Sequence, residues 1–175
     1  MAKPKKKVEI EAKPLFIPPN AMHLWVDGSF RPPDNASCAY LIFSEKSKHV
    51  VAMECLAYRG KTINQMELEA INKGLDNPGD YFIIHSDSQY SISALTLWHK
   101  SWEQHGWMTP NGEPVKNKEL IQSILKKMRT KKFVRFVKVK AHTGIPLNSV
   151  VDYLAQELSA KMRDNPKITQ LTLAA

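Results

Sequence analysis

The sequence predicts an α/β fold with its elements in the order βββαβααβα. Three observations predict it: strand-like segments crowd the N-terminal half, helical and strand patterns alternate after them, and 175 residues suit one domain with tails. Hydrophobic residues at 43% and charged residues at 24% give the balance of a folded globular chain. One domain implies one site.

Residues 1–20 combine Lys3, Lys5, Lys6 and Lys7 with four prolines and little periodicity, a composition that resists packing and reads as a basic tail. The domain spans residues 21–164. HLWVDGSF, SCAYLIFS and HVVAMECLAY alternate like strands between polar or proline-containing turns, which suggests an antiparallel meander. In TINQMELEAINKGLDNPG, Met66, Ala70 and Ile71 share a helical stripe, with Thr62 as a cap and Asn77-Pro78-Gly79 as a stop. YFIIHS is a continuous apolar run that suits a strand covered on both faces. A helix through SISALTLWHKSWEQHG follows, and MTPNGEPVKN then breaks regular structure and should protrude. Helical spacing resumes at Leu120, Ile121, Ile124, Leu125 and Met128, KFVRFVKVK alternates as a strand, and Val150, Tyr153, Leu154 and Leu158 continue as the last helix. Residues 165–175 read as a C-terminal tail.

Lys and Arg (25) exceed Asp and Glu (17), a formal net charge of +8 that attracts polyanions. No apolar run approaches the roughly 20 residues of a membrane span, and no export signal is legible, so a cytoplasmic location and no membrane partner are expected. Cys38 and Cys55 lack zinc-site spacing and read as small buried thiols, although a disulfide between neighbouring strands is geometrically open.

Four acids stand where packing alone would not put them. Asp27 interrupts Leu24-Trp25-Val26 inside a strand, where an ionised carboxylate is costly to desolvate. Asp87 follows Ile83-Ile84 at a strand's C-terminal end, the side on which α/β sheets commonly face a ligand crevice. Glu67 and Asp152 sit among apolar neighbours on the first and last helices. Singly, each reads as a solvated face residue or a cap. Together they would repel one another unless divalent cations bind between them, and hard oxygen ligands suit Mg2+, with Mn2+ as a substitute. Two such ions can orient a phosphodiester and support in-line hydrolysis.

These residues fall in VDGS, NQMEL, SDSQY and NSVVDYLA, and VKAHTG carries His142. Five motifs in that order resemble the type 1 ribonuclease H family over Met22 to Arg163. The resemblance implies a ribonuclease H-like five-stranded mixed sheet flanked by helices, and a monomer acting on RNA/DNA hybrid. It implies endonucleolytic cleavage of the RNA strand, leaving 5′-phosphate and 3′-hydroxyl ends. On this reading Asp27 bridges both ions, Glu67 and Asp87 complete one site, and Asp152 completes the other. His142 assists proton movement or product departure from a loop beside Gly144.

The resemblance also assigns Gly28, Ser29, Asn64, Gln65 and Gln89 to the RNA strand and Asn148 to a position near the last carboxylate. Trp102 is a candidate at the DNA groove, while buried packing is expected for at least two of Trp98, Trp102 and Trp107. Between Lys116 and Lys140 there are ten Lys or Arg and one acid, an excess that can track a phosphate backbone, with Lys116 the first candidate. Three departures stand out: ASCAY replaces a glycine-rich run, EQHG replaces a basic cluster, and Leu147 and Ser149 flank Asn148 where acids are common.

Two other readings remain open: a nuclease of the same fold class with a different substrate, and a catalytically silent hybrid-binding module. The lysine cluster at the N-terminus reads as a solubilising terminus. Deletion of residues 1–20 should therefore leave hybrid affinity and its log-salt slope unchanged in a binding titration, and a slope lowered by about one unit per lost phosphate contact would overturn that reading.

Overall fold

The computed structural model describes residues 16–140, 145–165, 167 and 170–174. The lysine cluster and His142 lie outside the described residues. Ala21 is fully buried, donates to the Pro18 carbonyl at 2.9 Å and accepts from the Glu45 N–H at 2.9 Å.

The strands β1 (Met22–Arg31), β2 (Asn35–Ser44) and β3 (His49–Arg59) form the antiparallel meander. β4 (Tyr81–Ser86) pairs parallel with β1, and β5 (Phe133–Lys138) pairs parallel with β4. The sheet is mixed, as expected, and β1 is flanked by partners on both sides. To these five strands the structure adds a sixth, β6 (Gln170–Ala174), antiparallel to β3, giving the order β5-β4-β1-β2-β3-β6. Here the segment after Asn165 departs from the tail expected of it. The unpaired backbone groups along the edge of β3 pair with a short run in which Leu171 and Leu173 alternate with Gln170 and Thr172.

Helix α1 (Ile63–Gly74) opens with a capping box: the Thr62 hydroxyl accepts from the Gln65 N–H at 3.2 Å, and the Gln65 side chain accepts from the Thr62 N–H at 2.9 Å. The expected helix after β4 is divided into α2 (Gln89–Ser93), a π-helical turn (Ala94–Trp98) and α3 (His99–Gln104). The extra residue in a π turn shifts the faces that follow it, and Trp98 stands 40% exposed while Trp107 is buried and Trp102 packs against the core. Two of the three tryptophans thus pack, as expected. The helices α4 (Lys118–Thr130) and α5 (Pro146–Asp164) complete the set.

Alternation along the strands supplies two cores. Leu24, Val26, Cys38 and Tyr40 pack with residues of α1 and α4, whereas Trp25, Ala39, Leu41 and Cys55 pack with Val151, Ala155 and Leu158 of α5. Cys38 and Cys55 consequently lie on opposite faces of the sheet, both as free thiols, which removes the cross-strand disulfide. On the α5 side, His85 stacks on Trp25 at 3.9 Å, and its Nε2 lies 2.9 Å from His23 Nδ1. Burial pushes His85 down to about 4, so it is neutral near pH 7.

Contact between α1 and β1 is unusually close at Gly74. A Cβ there would overlap Leu24 Cδ1 and lie 2.7 Å from Cδ2 of that fully buried side chain. Gly74→Ala should accordingly destabilise the protein by about 1–3 kcal/mol through overpacking, despite the roughly 1 kcal/mol that alanine gains in helix propensity. Urea unfolding checks this, and a stabilised variant would show that the helix moves away freely.

Candidate active site

Asp27 is fixed by the β1 ladder, opposite Ala39 of β2. Glu67 comes from α1, one turn past its N-terminus; Asp87 follows the end of β4; Asp152 lies in the second turn of α5. One carboxylate oxygen from each of Asp27, Glu67 and Asp87 lies within 4.8 Å of the others. Asp152 shares a hydrogen bond with Asp27, and all four acids line one open cleft of about 400 Å³. The predicted carboxylates therefore meet in space.

Gly28 lies at a close approach between α1 and β1. Its N–H donates to Glu67 Oε1 at 3.1 Å, and a Cβ on it would sit 3.1 Å from both that oxygen and the Glu67 backbone nitrogen. The other oxygen, Glu67 Oε2, is buried without a hydrogen-bond partner. An unpartnered carboxylate oxygen in such a place is costly. Burial, followed by the charges of Asp27 and Asp87, holds the Glu67 carboxyl well above the usual carboxylate range. Burial, followed by the charges of Asp87 and Asp152, pushes Asp27 up to about 8. A divalent cation would reverse both effects by giving these oxygens a counter-charge and a partner. The donor set, oxygen only and anionic, fits Mg2+ or Mn2+.

The remaining candidates divide. Gly28 and Ser29 line the cleft, and Ser29 Oγ lies 3.2 Å from Ser159 Oγ of α5. Asn64, Gln65, Gln89, Trp102, Lys116 and Asn148 are not in its wall. Gln65 serves the α1 cap, and Gln89 is held between Lys138, whose Nζ donates to its Oε1 at 2.6 Å, and Ser93. Asn148 is buried, Asn64 and Lys116 are exposed, and Trp102 borders a separate hollow with Trp98 and Met108. Sequence reasoning missed three residues of the cleft: Phe30, Ile63 and Gln156. Gln156 Nε2 donates to Asp152 Oδ1 at 2.5 Å, a contact that the i, i+4 spacing on a helix could have signalled. Phe30 and Ile63 gave no such signal, because an apolar residue beside an acid reads as core.

The RNase H family model matches residues 19–160. The chain is 30% identical over 156 residues to the ribonuclease H of Acidiphilium cryptum, covering 87% of this chain and 94% of that protein. It is 40% identical over 97 residues to the ribonuclease H of an Anaeromyxobacter species (strain K), where the match covers 54% of this chain and spans 52% of the relative's length. Among solved structures, LC9-RNase H1, described as a type 1 RNase H with the type 2 active-site motif, aligns with a TM-score of 0.70 at 19% identity, covering 84% of this chain and 75% of that one. Among the described residues no helix is long and apolar enough to cross a membrane.

The raised carboxyls have a consequence for stability without metal. Asp27 is pushed up to about 8 in the folded chain from the ordinary aspartate value of 3.8, so between these values the folded state binds more protons than the unfolded one and stability falls as pH rises. In EDTA, urea melts should show a loss of roughly 1–3 kcal/mol between pH 4 and pH 8. Asp27→Asn should be the more stable protein at pH 8 and show a flatter profile. A wild-type profile as flat as that of the variant would contradict the crowding of these charges.

Proposed function

The chain belongs to the RNase H family, and from that premise we propose that it is a monomeric endoribonuclease that hydrolyses the RNA strand of RNA/DNA hybrids, leaving 5′-phosphate and 3′-hydroxyl ends. The observation that carries the proposal is the convergence of Asp27, Glu67 and Asp87 oxygens within 4.8 Å, with Glu67 Oε2 buried and unpartnered. Strongly perturbed carboxyls of this kind cluster at functional sites.

Asp27, Glu67, Asp87 and Asp152 would hold divalent cations, two per site, with Mg2+ the physiological choice and Mn2+ a substitute. When bound, these cations supply the counter-charge and Lewis acidity that phosphodiester hydrolysis needs. The protein supplies the frame. The Gly28 N–H orients Glu67, and the Gln156 amide orients Asp152. Gly28 and Ser29 lie on the cleft wall where the RNA strand would pass. The cleft is open, so a rigid duplex can be laid across it without strand separation.

Basic residues on α4 and β5 follow from the surplus between Lys116 and Lys140 and give the duplex backbone a positive track. Lys138 braces Gln89 beside the site, consistent with a role for that amide on the RNA strand. Asn64, Gln65, Trp102, Lys116 and Asn148 stand as contacts outside the cleft itself, reached by the flanking duplex or acting through neighbours. His142, outside the described residues, is proposed to move protons or to speed product departure.

Cleavage assays on hybrid, duplex RNA and duplex DNA test the proposal. Wild-type protein should cut the RNA of the hybrid in Mg2+ or Mn2+, spare both duplexes and stop in EDTA. Asp87→Asn should lose activity by on the order of a thousandfold while keeping its fold by circular dichroism. Binding of the hybrid without turnover would favour the silent module, and cutting of duplex DNA would favour a different nuclease.

A further inference from the structure

Phe30 and Ile63 are large apolar side chains left 41% and 40% exposed at the edge of the carboxylate cleft. Phe30 lies three residues beyond Asp27 on β1, and Ile63 opens α1 four residues before Glu67. The same two side chains also line a second groove of about 390 Å³, together with Pro33, Asp34, Gly60 and Lys61. The two hollows thus share one apolar wall. Charge in the outer groove favours a polyanion: Lys61 is exposed, and Asp34 is already paired with Arg59 at 3.0 Å. A polymer that runs from the carboxylates into the outer groove passes over this wall.

On the hybrid-cleaving reading, which this inference rests on, the occupant is the duplex next to the scissile phosphate. Three residues of strand span about 10 Å, the rise of about three base pairs. A side chain projecting from an open surface cannot enter the deep, narrow major groove of an A-like helix, whereas the wide, shallow minor groove is accessible. We propose that Phe30 and Ile63 form an apolar minor-groove wall that sets cut-site preference, favouring A·T and U·A pairs over G·C pairs at one position near the scissile bond. The cause is chemical. In the minor groove only guanine presents an amine donor, and an apolar wall would strip that N–H of water while offering no acceptor.

Hybrids differing by one pair at successive positions around a single cut site test this in Mg2+. Wild-type protein should cleave the A·T or U·A version about tenfold faster than the G·C version at one position. Replacing guanine by inosine, which lacks the 2-amino group, should restore most of the rate. Phe30→Ser with Ile63→Asn should bring the ratio to about twofold or less, and Phe30→Ser alone should lower it measurably. Val51→Ser, on an exposed β3 position away from the cleft, should leave rate and ratio unchanged. A wild-type enzyme indifferent to the swap, an inosine hybrid cut as slowly as guanine, or an unchanged ratio in the double variant would overturn this inference alone. Failure of the wild type to cleave any hybrid would instead overturn the reading beneath it.

Discussion

Mutual repulsion among buried carboxylates is the constraint to which the rest of the structure answers. Asp27 and Glu67 are 8% and 5% exposed, and each is pushed toward its protonated form by burial and by the other acids. Left to local forces, these groups would separate into water. They stay together because each is attached to an element held elsewhere. β1 is tied into the sheet on both sides, α1 is drawn onto it at Gly28 and Gly74, and the end of β4 is braced where the Ser88 N–H donates to Ser86 Oγ at 3.1 Å.

The fourth acid depends on α5, which is bound to the sheet by polar contacts as well as by its apolar stripe. Ser37 donates to the Ala155 carbonyl at 2.5 Å, and Arg31 Nε donates to Ser159 Oγ at 3.2 Å. Arg59 closes the far end, donating to the Met162 carbonyl at 2.7 Å and to the Asn165 carbonyl at 3.1 Å. Helix C-termini leave such carbonyls unpaired, so one guanidinium both caps α5 and joins it to the strand along which β6 is laid. Contacts from β1, β2 and the end of β3 thereby hold the helix that carries Asp152.

Much of this was legible beforehand, because periodicity and charge placement are local properties. The meander, the Thr62 cap and the strand ending at Asp87 follow from short windows of sequence, and an acid inside an apolar strand marks itself. What escaped depends on partners distant in the chain. β6 exists because β3 has an open edge, and the alternation of Gln170, Leu171, Thr172 and Leu173 does not by itself say that an edge awaits it. The opposite facing of Cys38 and Cys55 is a matter of register, which one residue of slip would reverse. Asn148, assigned by resemblance to a position near the last carboxylate, is buried one helical turn before Asp152, and a burial of that kind depends on what packs over the helix. Phe30 and Ile63 were passed over because an apolar residue is conspicuous only once its exposure is known.

These two kinds of residue, legible acids and illegible apolar neighbours, divide the work of one surface. Acids draw cations and through them any phosphodiester, since a phosphate carries no base identity. Selectivity must come from groups that feel what differs between duplexes, which are ribose hydroxyls, groove shape and base edges. Gly28 and Ser29 offer backbone and hydroxyl on one part of the cleft, and Phe30 and Ile63 offer an apolar edge on another. A surface of this composition has little reason to be stable without its ligands, because it keeps charges crowded and apolar side chains wet. The same features that weaken the empty fold are those through which cations and nucleic acid would be bound, so stability surrendered at this edge of the sheet is regained on binding.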